Sequence, residues 1–484
     1  MSNEICAADQ AAIADMQRLL KLQKQAVLDQ GAPSLQLRYD RLDRLSAALH
    51  RNRNKLAEAM SQDFGNRARA TSLLLDVLAL LGSIAHNREH LHLWMQPDLK
   101  PDPAPGAYAR VEFQPKGVVG VVSPWNVPVQ LAIGPIIGIL GAGNRSLLKP
   151  SELTPATAEA LKELIAPAFD ESEVAVVTGG PAVGAAFTTL AFDHLIFTGG
   201  TAVGKHVARA AADNLVPLTL ELGGKSPAIV SATVDLEQAT RRILTAKMIN
   251  SGQICVSPDY VLVPEARREA FVEIAATTIS QLFPTQKGNP DYTTIINEHH
   301  FKRINGLIED ARAKGAKIVA LVPTGEEPVD PASRRISPTL VMDPQPGMKV
   351  LEEEIFGPLL PVITYTTIEE AIGYVNARPR PLALYYFGKD ESEERLVLDK
   401  TISGGVTVND CISHLTDENL PFGGIGDSGM GHYHGGIYGF RTFSHARSIY
   451  RQADETPGAA LLSPPFDATT TAFFDQAFAA FGEK

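Results

Sequence analysis

The chain has 484 residues, of which 44% are hydrophobic and 20% are charged, a composition typical of a globular protein with about three domains. This composition excludes a collagen-like chain, a coiled coil and a disordered tail protein. The 44 basic and 55 acidic side chains give a net charge of −11, which argues against binding of nucleic acid through its phosphates. The three cysteines, Cys6, Cys255 and Cys411, are too few for a disulfide scaffold and are typical of thiols in a reducing compartment.

The first ninety-odd residues have the periodicity of helices. Apolar residues recur at spacings of three, four and seven between 37 and 62, and a further apolar-rich helix is predicted over 71–94. Prolines between 97 and 105 end this pattern, and the alternating segment 107–117 predicts an outlying hairpin.

Neither end of the sequence nor its most apolar stretch predicts a membrane segment. The N-terminal segment is polar and acidic, unlike a signal peptide. The longest apolar run, 127–143, contains Gln130 and two prolines and is shorter than the roughly 20 residues of a spanning helix. It predicts a loop that enters a buried helix. We therefore expect a cytoplasmic protein with neither a membrane nor a nucleic acid as its partner.

From residue 118 onward, short β-branched strands alternate with helices. Strands are predicted at 118–122, 146–149, 173–178, 193–197 and 227–230. Helices are predicted at 154–169, after the turn 198–205, and near 236–250 and 266–283. This rhythm predicts right-handed βαβ units in two successive α/β units with parallel strands.

Two segments follow predicted strands at the edge where open parallel sheets bind ligands. The turn 198–205, TGGTAVGK, directs free N–H groups and a helix N-terminus toward a phosphate. Its spacing is not GxGxxG, and a tight βα turn explains it equally well. Lys149 and Glu152 end another strand, where they would bind the hydroxyls of a ribose. A surface loop with a helix cap is the alternative for this pair.

Two residues are candidates for covalent catalysis. Glu221 ends a strand beside two glycines and could act as a general base, although an exposed glutamate at a turn is the commoner case. Cys255 lies in a segment rich in turn formers, NSGQICVSP, where a thiol could act as a nucleophile. The alternative is a buried small hydrophobe, which is our interpretation of Cys6 and Cys411.

The histidines do not predict a metal site. His86 and His90 have the i, i+4 spacing of metal ligands, but no third ligand accompanies them, and a helix surface is the favoured interpretation. His432, His434 and His445 lack metal-ligand spacing.

Seven segments resemble, in chain order, the NAD(P)-dependent aldehyde dehydrogenase superfamily. They are SPWNVPVQL (123–131), LLKPSE (147–152), FTGGTAVGK (197–205), LELGGKSPAIV (220–230), NSGQICVSP (250–258), EEIFGPLLPV (353–362) and LPFGGIGDSGMG (420–431). The 34 residues from Glu221 to Cys255 suit the base and nucleophile of that family. Within it, the chain is most similar to the class 3-like group and, among bacterial members, to coniferyl aldehyde dehydrogenases.

The resemblance implies an α/β fold with a Rossmann-type cofactor domain, an α/β catalytic domain and a small β oligomerisation arm. We assign 1–97 and 116–222 to the cofactor domain, 223–412 to the catalytic domain, 98–115 and 437–455 to the arm, 413–436 to a return segment and 456–484 to a C-terminal tail. The class 3-like group implies a homodimer.

The resemblance also implies a mechanism. Cys255, as a thiolate, would attack the aldehyde carbon, and the side-chain amide of Asn126 with the backbone N–H of Cys255 would bind the oxyanion. Hydride transfer to the cofactor would leave a thioester, which Glu221 would hydrolyse by activating water. The product would be the acid of an aromatic aldehyde, such as coniferyl aldehyde, or of a medium-chain aliphatic aldehyde.

By the same resemblance, eight residues would bind the cofactor. The adenosine half would contact Trp125, Lys149 and Glu152. The pyrophosphate would contact Gly199, Gly200 and Val203. The nicotinamide end would contact Glu354 and Phe356. Many relatives have Ser where Gly200 stands, so backbone N–H groups would have to suffice there. Glu152 favours NAD, because it would repel a 2′-phosphate, and NADP remains a second possible cofactor.

Two alternatives are weaker. A CoA-acylating dehydrogenase would not need the water-activating Glu221. A catalytically silent binding protein on the same scaffold would not need Asn126, Glu221 and Cys255 together.

Overall fold

The computed structural model describes residues 6–103, 106–454 and 463–482. The chain divides into two compact units, one of Met1–Trp94 and Pro115–His445 and the other of Met95–Gln114 and Ala446–Lys484. Of the predicted C-terminal tail, 456–462 and 483–484 lie outside the described residues, as do 1–5, 104–105 and 455 of the other predicted segments.

The first unit contains a six-stranded sheet that follows the predicted alternation. Its strands are, side by side, Gly429–Met430, Leu218–Leu222, His194–Gly199, Val118–Val122, Arg145–Lys149 and Val174–Val176. All neighbouring pairs are parallel except the first, which is antiparallel. The carboxyl ends of the parallel strands therefore share one edge, the edge at which open sheets bind ligands.

Helices cover this sheet and bury its apolar strands. They are Ala7–Gln30, Leu35–Phe64, Arg69–Leu73, the π-helical turn Leu74–Leu78, Ala79–Trp94, Gln130–Gly141, Pro155–Ile165, Pro181–Thr188, Thr201–Ala212 and Gly436–Thr442. Pro155 begins its helix, as predicted, because the first helical position needs no N–H donor. The apolar run 127–143 forms a loop and then the helix Gln130–Gly141.

The helical stretch Arg69–Trp94 is long and apolar enough to span a membrane, and 39% of its most apolar window is buried. Sequence inspection singled out only the run at 127–143. Leu80, Ile84 and Leu91 of this stretch are buried. An apolar helix with buried residues is equally typical of the core of a folded domain.

A second, seven-stranded sheet lies in the same unit. Its strands are, side by side, Lys317–Ala320, Thr339–Met342, Leu359–Tyr365, Tyr260–Pro264, Pro227–Val230, Ala383–Phe387 and Gly405–Val408. The first pair is antiparallel and the others are parallel. Its helices and helical turns are Leu236–Met248, Ile249–Gly252, Glu265–Arg267, Arg268–Leu282, Glu298–Ala313, Lys349–Glu352, Ile368–Asn376, Glu391–Lys400 and Ser413–Thr416, and a short hairpin joins Val329–Asp330 to Arg335–Ile336.

The second unit contains a three-stranded sheet of Asp98–Leu99, Tyr108–Pro115 and Ser444–Arg451, in that order, and the helix Ala468–Gly482. The two stretches assigned to an arm therefore form one small sheet. Residues 437–442 instead belong to the helix Gly436–Thr442 of the first unit. The division of the first unit into cofactor and catalytic domains stays a prediction.

Candidate active site

A cavity of about 310 Å³ lies at the carboxyl edge of the six-stranded sheet. Eight of the eleven predicted site residues line it: Trp125, Asn126, Gly199, Gly200, Glu221, Cys255, Glu354 and Phe356. They lie at the carboxyl ends of three strands of that sheet or in the loops that follow, and in two further loops that precede strands of the second sheet. The fold thus brings together residues that are more than 200 positions apart.

Cys255 lies on a loop with an unusual backbone. The helix Leu236–Met248 is followed by Asn250, Ser251 and Gly252, which have φ values of 52°, 53° and 76°. A Cβ at Gly252 would lie 2.2 Å from the carbonyl oxygen of Gly357, so only glycine fits that position. The left-handed turn carries Cys255 to the cavity, where it stays partly accessible.

The thiol of Cys255 is held in its protonated form. Burial raises its pKa to about 12, the charges of Glu354 and Glu221 add to the shift, and the backbone N–H groups of Cys255 and Val256 oppose it. An ordinary thiol has a pKa of about 8.5. Formation of the nucleophilic thiolate therefore requires a proton acceptor, which can be a side chain of the site or solvent.

Glu221 is suited to that task. Glu221 lies in the strand Leu218–Leu222 and pairs with Gly429 of the neighbouring strand. Only 4% of the residue is exposed. Neither carboxyl oxygen has a hydrogen-bond partner among the described residues. Burial raises the pKa of Glu221 well above its ordinary value. A buried carboxyl without a partner is costly to the fold and typical of a general base.

Asn126 links two parts of the site. Its side-chain Nδ2 donates to the carbonyl oxygen of Gln253 at 3.1 Å, two residues before Cys255. Since an amide carries two N–H donors, one remains for a ligand in the cavity.

Glu354 and Phe356 lie on a loop that charged side chains hold from behind. Arg303 donates to the carbonyl oxygens of Glu354 and Ile355 at 3.1 and 2.7 Å, and Asp259 accepts from the N–H of Ile355 at 2.9 Å. Burial raises the pKa of Glu354 to about 7, Asp259 adds to the shift, and the N–H of Gly224, Lys225 and Arg303 lower it. A carboxyl with this pKa changes charge near neutral pH.

Trp125 lies beside Phe356 in the cavity. Its ring meets that of Phe356 edge-on, with centroids 5.3 Å apart, and its neighbour Asn126 lies in the same cavity. The contact of Trp125 with the adenosine half of the cofactor stays a prediction.

Three predicted residues do not line the cavity. Lys149 and Glu152 form an ion pair of 3.0 Å at the carboxyl end of the strand Arg145–Lys149. Val203 is 53% exposed on the helix Thr201–Ala212. All three lie along the same edge of the sheet as the turn at Gly199 and Gly200.

The glycine turn fits a dinucleotide. Gly200 precedes the helix Thr201–Ala212 without a side-chain hydrogen bond to the first turn, and a Cβ at Gly200 would meet no atom within 4 Å. The N–H groups at this helix N-terminus therefore face open space, as a pyrophosphate site requires.

Sequence inspection missed three residues near the reacting groups. His300 packs against Trp125, with ring centroids 4.9 Å apart, and its Nδ1 has no partner among the described residues. Arg303 also lines the cavity. Burial raises the pKa of Tyr433 well above its ordinary value, and the charges of Glu221 and Cys255 add to the shift. Of the three residues, only Tyr433 lies beside a motif, just after the segment 420–431.

Within the described part of the chain, no group of three or more His, Cys, Asp or Glu residues could hold a metal ion. His86 and His90 stack with centroids 4.3 Å apart, and His90 Nδ1 lies 2.9 Å from the carbonyl oxygen of His86. The expectation of a metal-free site stays a prediction.

A parallel sheet with a cavity at its carboxyl edge is the arrangement typical of a dinucleotide-dependent enzyme. The chain belongs to the aldehyde dehydrogenase family, whose model matches residues 1–449. It is therefore an oxidoreductase that acts on aldehydes with NAD(P). The family predicted from the seven motifs is confirmed.

Individual relatives refine this placement. The coniferyl aldehyde dehydrogenase of Pseudomonas sp. (strain HR199 / DSM 7063) is 54% identical over 430 residues, 89% of each chain. An aldehyde dehydrogenase of Rattus norvegicus described as dimeric and NADP-preferring is 39% identical over 419 residues, 86% of this chain and 90% of the relative.

Solved structures agree. The substrate-bound Staphylococcus aureus AldH has a TM-score of 0.89 at 34% identity and covers 96% of this chain and 99% of its own. An indole-3-acetaldehyde dehydrogenase in complex with NAD⁺ has a TM-score of 0.83 at 27% identity, with coverage of 91% and 89%. The predicted aldehyde dehydrogenase fold is confirmed.

Proposed function

We propose that the protein oxidises coniferyl aldehyde and related aromatic aldehydes to carboxylic acids through a thioester on Cys255. The observation that carries this proposal is the meeting of Cys255, Glu221 and Asn126 in one cavity. The aromatic substrate is supported by the 54% identity to a coniferyl aldehyde dehydrogenase. Aldehyde, water and NAD(P)⁺ are converted to acid, NAD(P)H and a proton.

Glu221, Cys255 and Asn126 each have a separate role in the proposed reaction. Glu221 accepts the thiol proton and passes it to solvent, and Cys255 Sγ forms a bond to the aldehyde carbon as the carbonyl π bond opens. The free N–H of the Asn126 amide and the backbone N–H of Cys255 donate to the resulting oxyanion, each contributing roughly 3 kcal/mol. In the second half, Glu221 takes a proton from the water that hydrolyses the thioester. The chemistry that NAD(P)⁺ supplies when bound is hydride acceptance, which makes the reaction an oxidation.

The cofactor-binding roles are proposals of the same kind. The N–H groups after Gly200 would hold the pyrophosphate, and Lys149 with Glu152 would bind a ribose. Glu354 and Phe356 would contact the nicotinamide end. Because Trp125 packs on Phe356, we assign Trp125 to this end rather than to the adenosine half.

Two features bear on the choice of cofactor. The Glu152 carboxylate, 37% exposed, would repel a 2′-phosphate, whereas Lys149 beside it offsets part of that charge. We propose that NAD is preferred and NADP accepted. The CoA-acylating alternative is not favoured, because Glu221 lines the cavity as a base for water would.

A panel of coniferyl aldehyde, benzaldehyde, hexanal and a semialdehyde, each with NAD and with NADP, tests the function. We expect the highest kcat/KM for coniferyl aldehyde with NAD, at least about tenfold above hexanal, since extra apolar contact in a pocket gives roughly 10–200-fold discrimination. Absorbance of NADH is the measurement. A higher kcat/KM for hexanal or the semialdehyde would make the aromatic assignment wrong. If none of the four aldehydes is oxidised with either cofactor, the enzymatic function is refuted.

We propose a homodimer in which the second unit serves as the arm. Large apolar side chains are exposed there, among them Leu99, Phe466, Phe478 and Phe481, the last at 84%. Such exposure is typical of a protein–protein interface, and the rat relative is described as dimeric. Sedimentation of the purified protein should give a dimer at micromolar concentration, and Phe478→Glu with Phe481→Glu should shift it toward monomer. A wild-type monomer would overturn this assembly.

We also propose a cytoplasmic location without membrane or nucleic-acid partners. The free thiols of Cys6, Cys255 and Cys411 suit a reducing compartment, and the net charge of −11 disfavours nucleic acid. Recovery of the protein in the membrane fraction of lysed cells would contradict this location.

A further inference from the structure

Asn250 joins the two elements that would react with the aldehyde. Its side-chain Nδ2 donates to the carbonyl oxygen of Asn126 at 2.9 Å and to that of Gln253 at 3.3 Å. Asn126 in turn donates to the carbonyl oxygen of Gln253. Two of these hydrogen bonds tie the segment that carries the amide donor to the loop that carries Cys255, and the bond from Asn250 to Gln253 lies within that loop. All three residues are at most 3% exposed.

A buried ion pair holds Asn250 from behind. Arg67 Nε donates to Asn250 Oδ1 at 3.1 Å, and its guanidinium lies 2.8 Å from the Asp76 carboxylate. Both of these side chains are fully buried. The other Asp76 oxygen, Oδ1, accepts from the N–H groups of Val129 and Gln130 at 3.1 and 3.0 Å.

The segment from Asn126 to Gln130 is therefore held at both ends by one network. Asp76 fixes the start of the helix Gln130–Gly141, and Asn250 fixes the backbone at Asn126. Asn250 also has a left-handed backbone, with φ at 52°, a conformation that asparagine tolerates better than most residues. Buried networks of hydrogen bonds and ion pairs make a site rigid and favour one arrangement of its side chains.

We infer that Asn250, held by the Arg67–Asp76 pair, is a positioning residue that fixes the Asn126 amide relative to Cys255. The inference rests on the proposed role of Asn126 as an oxyanion donor. A donor contributes to the transition state only when it is aimed in advance at the developing charge. Displacement by about 1 Å is enough to lower a rate on the order of 100-fold.

Asn250→Asp tests the inference, because aspartate keeps the acceptor for Arg67 and removes the donor to Asn126. We expect kcat with coniferyl aldehyde to fall at least about tenfold. The rate at which iodoacetamide alkylates Cys255 should change less than about twofold, because this displacement forms no oxyanion. General damage to the loop would alter both rates. Asn250→Gly, which accepts the left-handed backbone, should repeat the result if the aspartate variant does not fold.

Asn144→Asp is the matched control. Asn144 is also buried, accepts from the N–H of Gly117 and donates to the carbonyl oxygens of Ile139 and Phe443. None of these partners is Asn126 or lies on the loop of Cys255. We expect this variant to lose thermal stability and to keep its kcat within about twofold, since only a buried hydrogen bond is lost.

The double variant Asn126→Ala/Asn250→Asp tests whether Asn250 acts through Asn126. If Asn250 acts through Asn126, the double variant is no slower than Asn126→Ala alone. Multiplied losses, or a normal kcat in both Asn250 variants beside a slow Asn126→Ala enzyme, would overturn the positioning role. Full activity of Asn126→Ala would remove the oxyanion role itself, and the inference with it.

Discussion

Cys255→Ala is expected to lower kcat for aldehyde oxidation by on the order of 10⁴-fold or more, because the substitution removes the atom that forms the covalent bond. The protein should fold normally, since Cys255 is only partly buried and alanine fits in its place. The measurement is NADH formation at saturating aldehyde and NAD.

The two other cysteines provide the controls. Cys411 is buried in the hydrophobic core that contains residues of the seven-stranded sheet. Cys6 is exposed, and its Sγ accepts a hydrogen bond from the N–H of Asp9 at 3.4 Å. Cys411→Ala should cost about 1 kcal/mol of unfolding free energy and Cys6→Ala less, with kcat unchanged in both. Comparable loss of turnover in all three variants would mean that Cys255 is not the nucleophile.

Glu221→Gln is expected to separate the two halves of the reaction. Glutamine keeps the size of the side chain but cannot take a proton from water, so deacylation should slow by roughly 10²–10⁴-fold. Acylation has other proton acceptors, including solvent, and should be retained. Rapid mixing should therefore show a burst of close to one NADH per active site, followed by slow turnover.

The pH dependence provides a second readout for Glu221. Burial raises its pKa above the ordinary value, so the ionised, base-competent fraction grows as the pH rises through that raised pKa. The steady-state rate of the wild type should increase with pH over this range, and the glutamine variant should lack the increase. A variant with full steady-state activity and the wild-type pH profile would remove Glu221 from the base role.

The site and its supports differ in how far local sequence predicts them. Cys255, Glu221 and Asn126 each follow a helix or strand with a clear period, beside glycines or turn formers, so motif and local structure agree. Arg67 and Asp76 have no such context, because an arginine in a turn and an aspartate in an apolar helix are individually ordinary. Asn250 is the first residue of the motif NSGQICVSP, but the motif does not indicate which residues it contacts. The buried network of these three residues exists only because packing of distant segments brings them together.

The sequence by itself determined the family and the alternating α/β architecture and indicated candidate residues for the reaction, because periodicity, turn chemistry and motif spacing are local properties of the chain. Tertiary structure alone decided which of these residues meet. Strand register and helix packing place residues 126, 221, 255 and 354 in one cavity together with Trp125 and His300. These residues come from segments that are far apart in the chain, and no local pattern records that they meet.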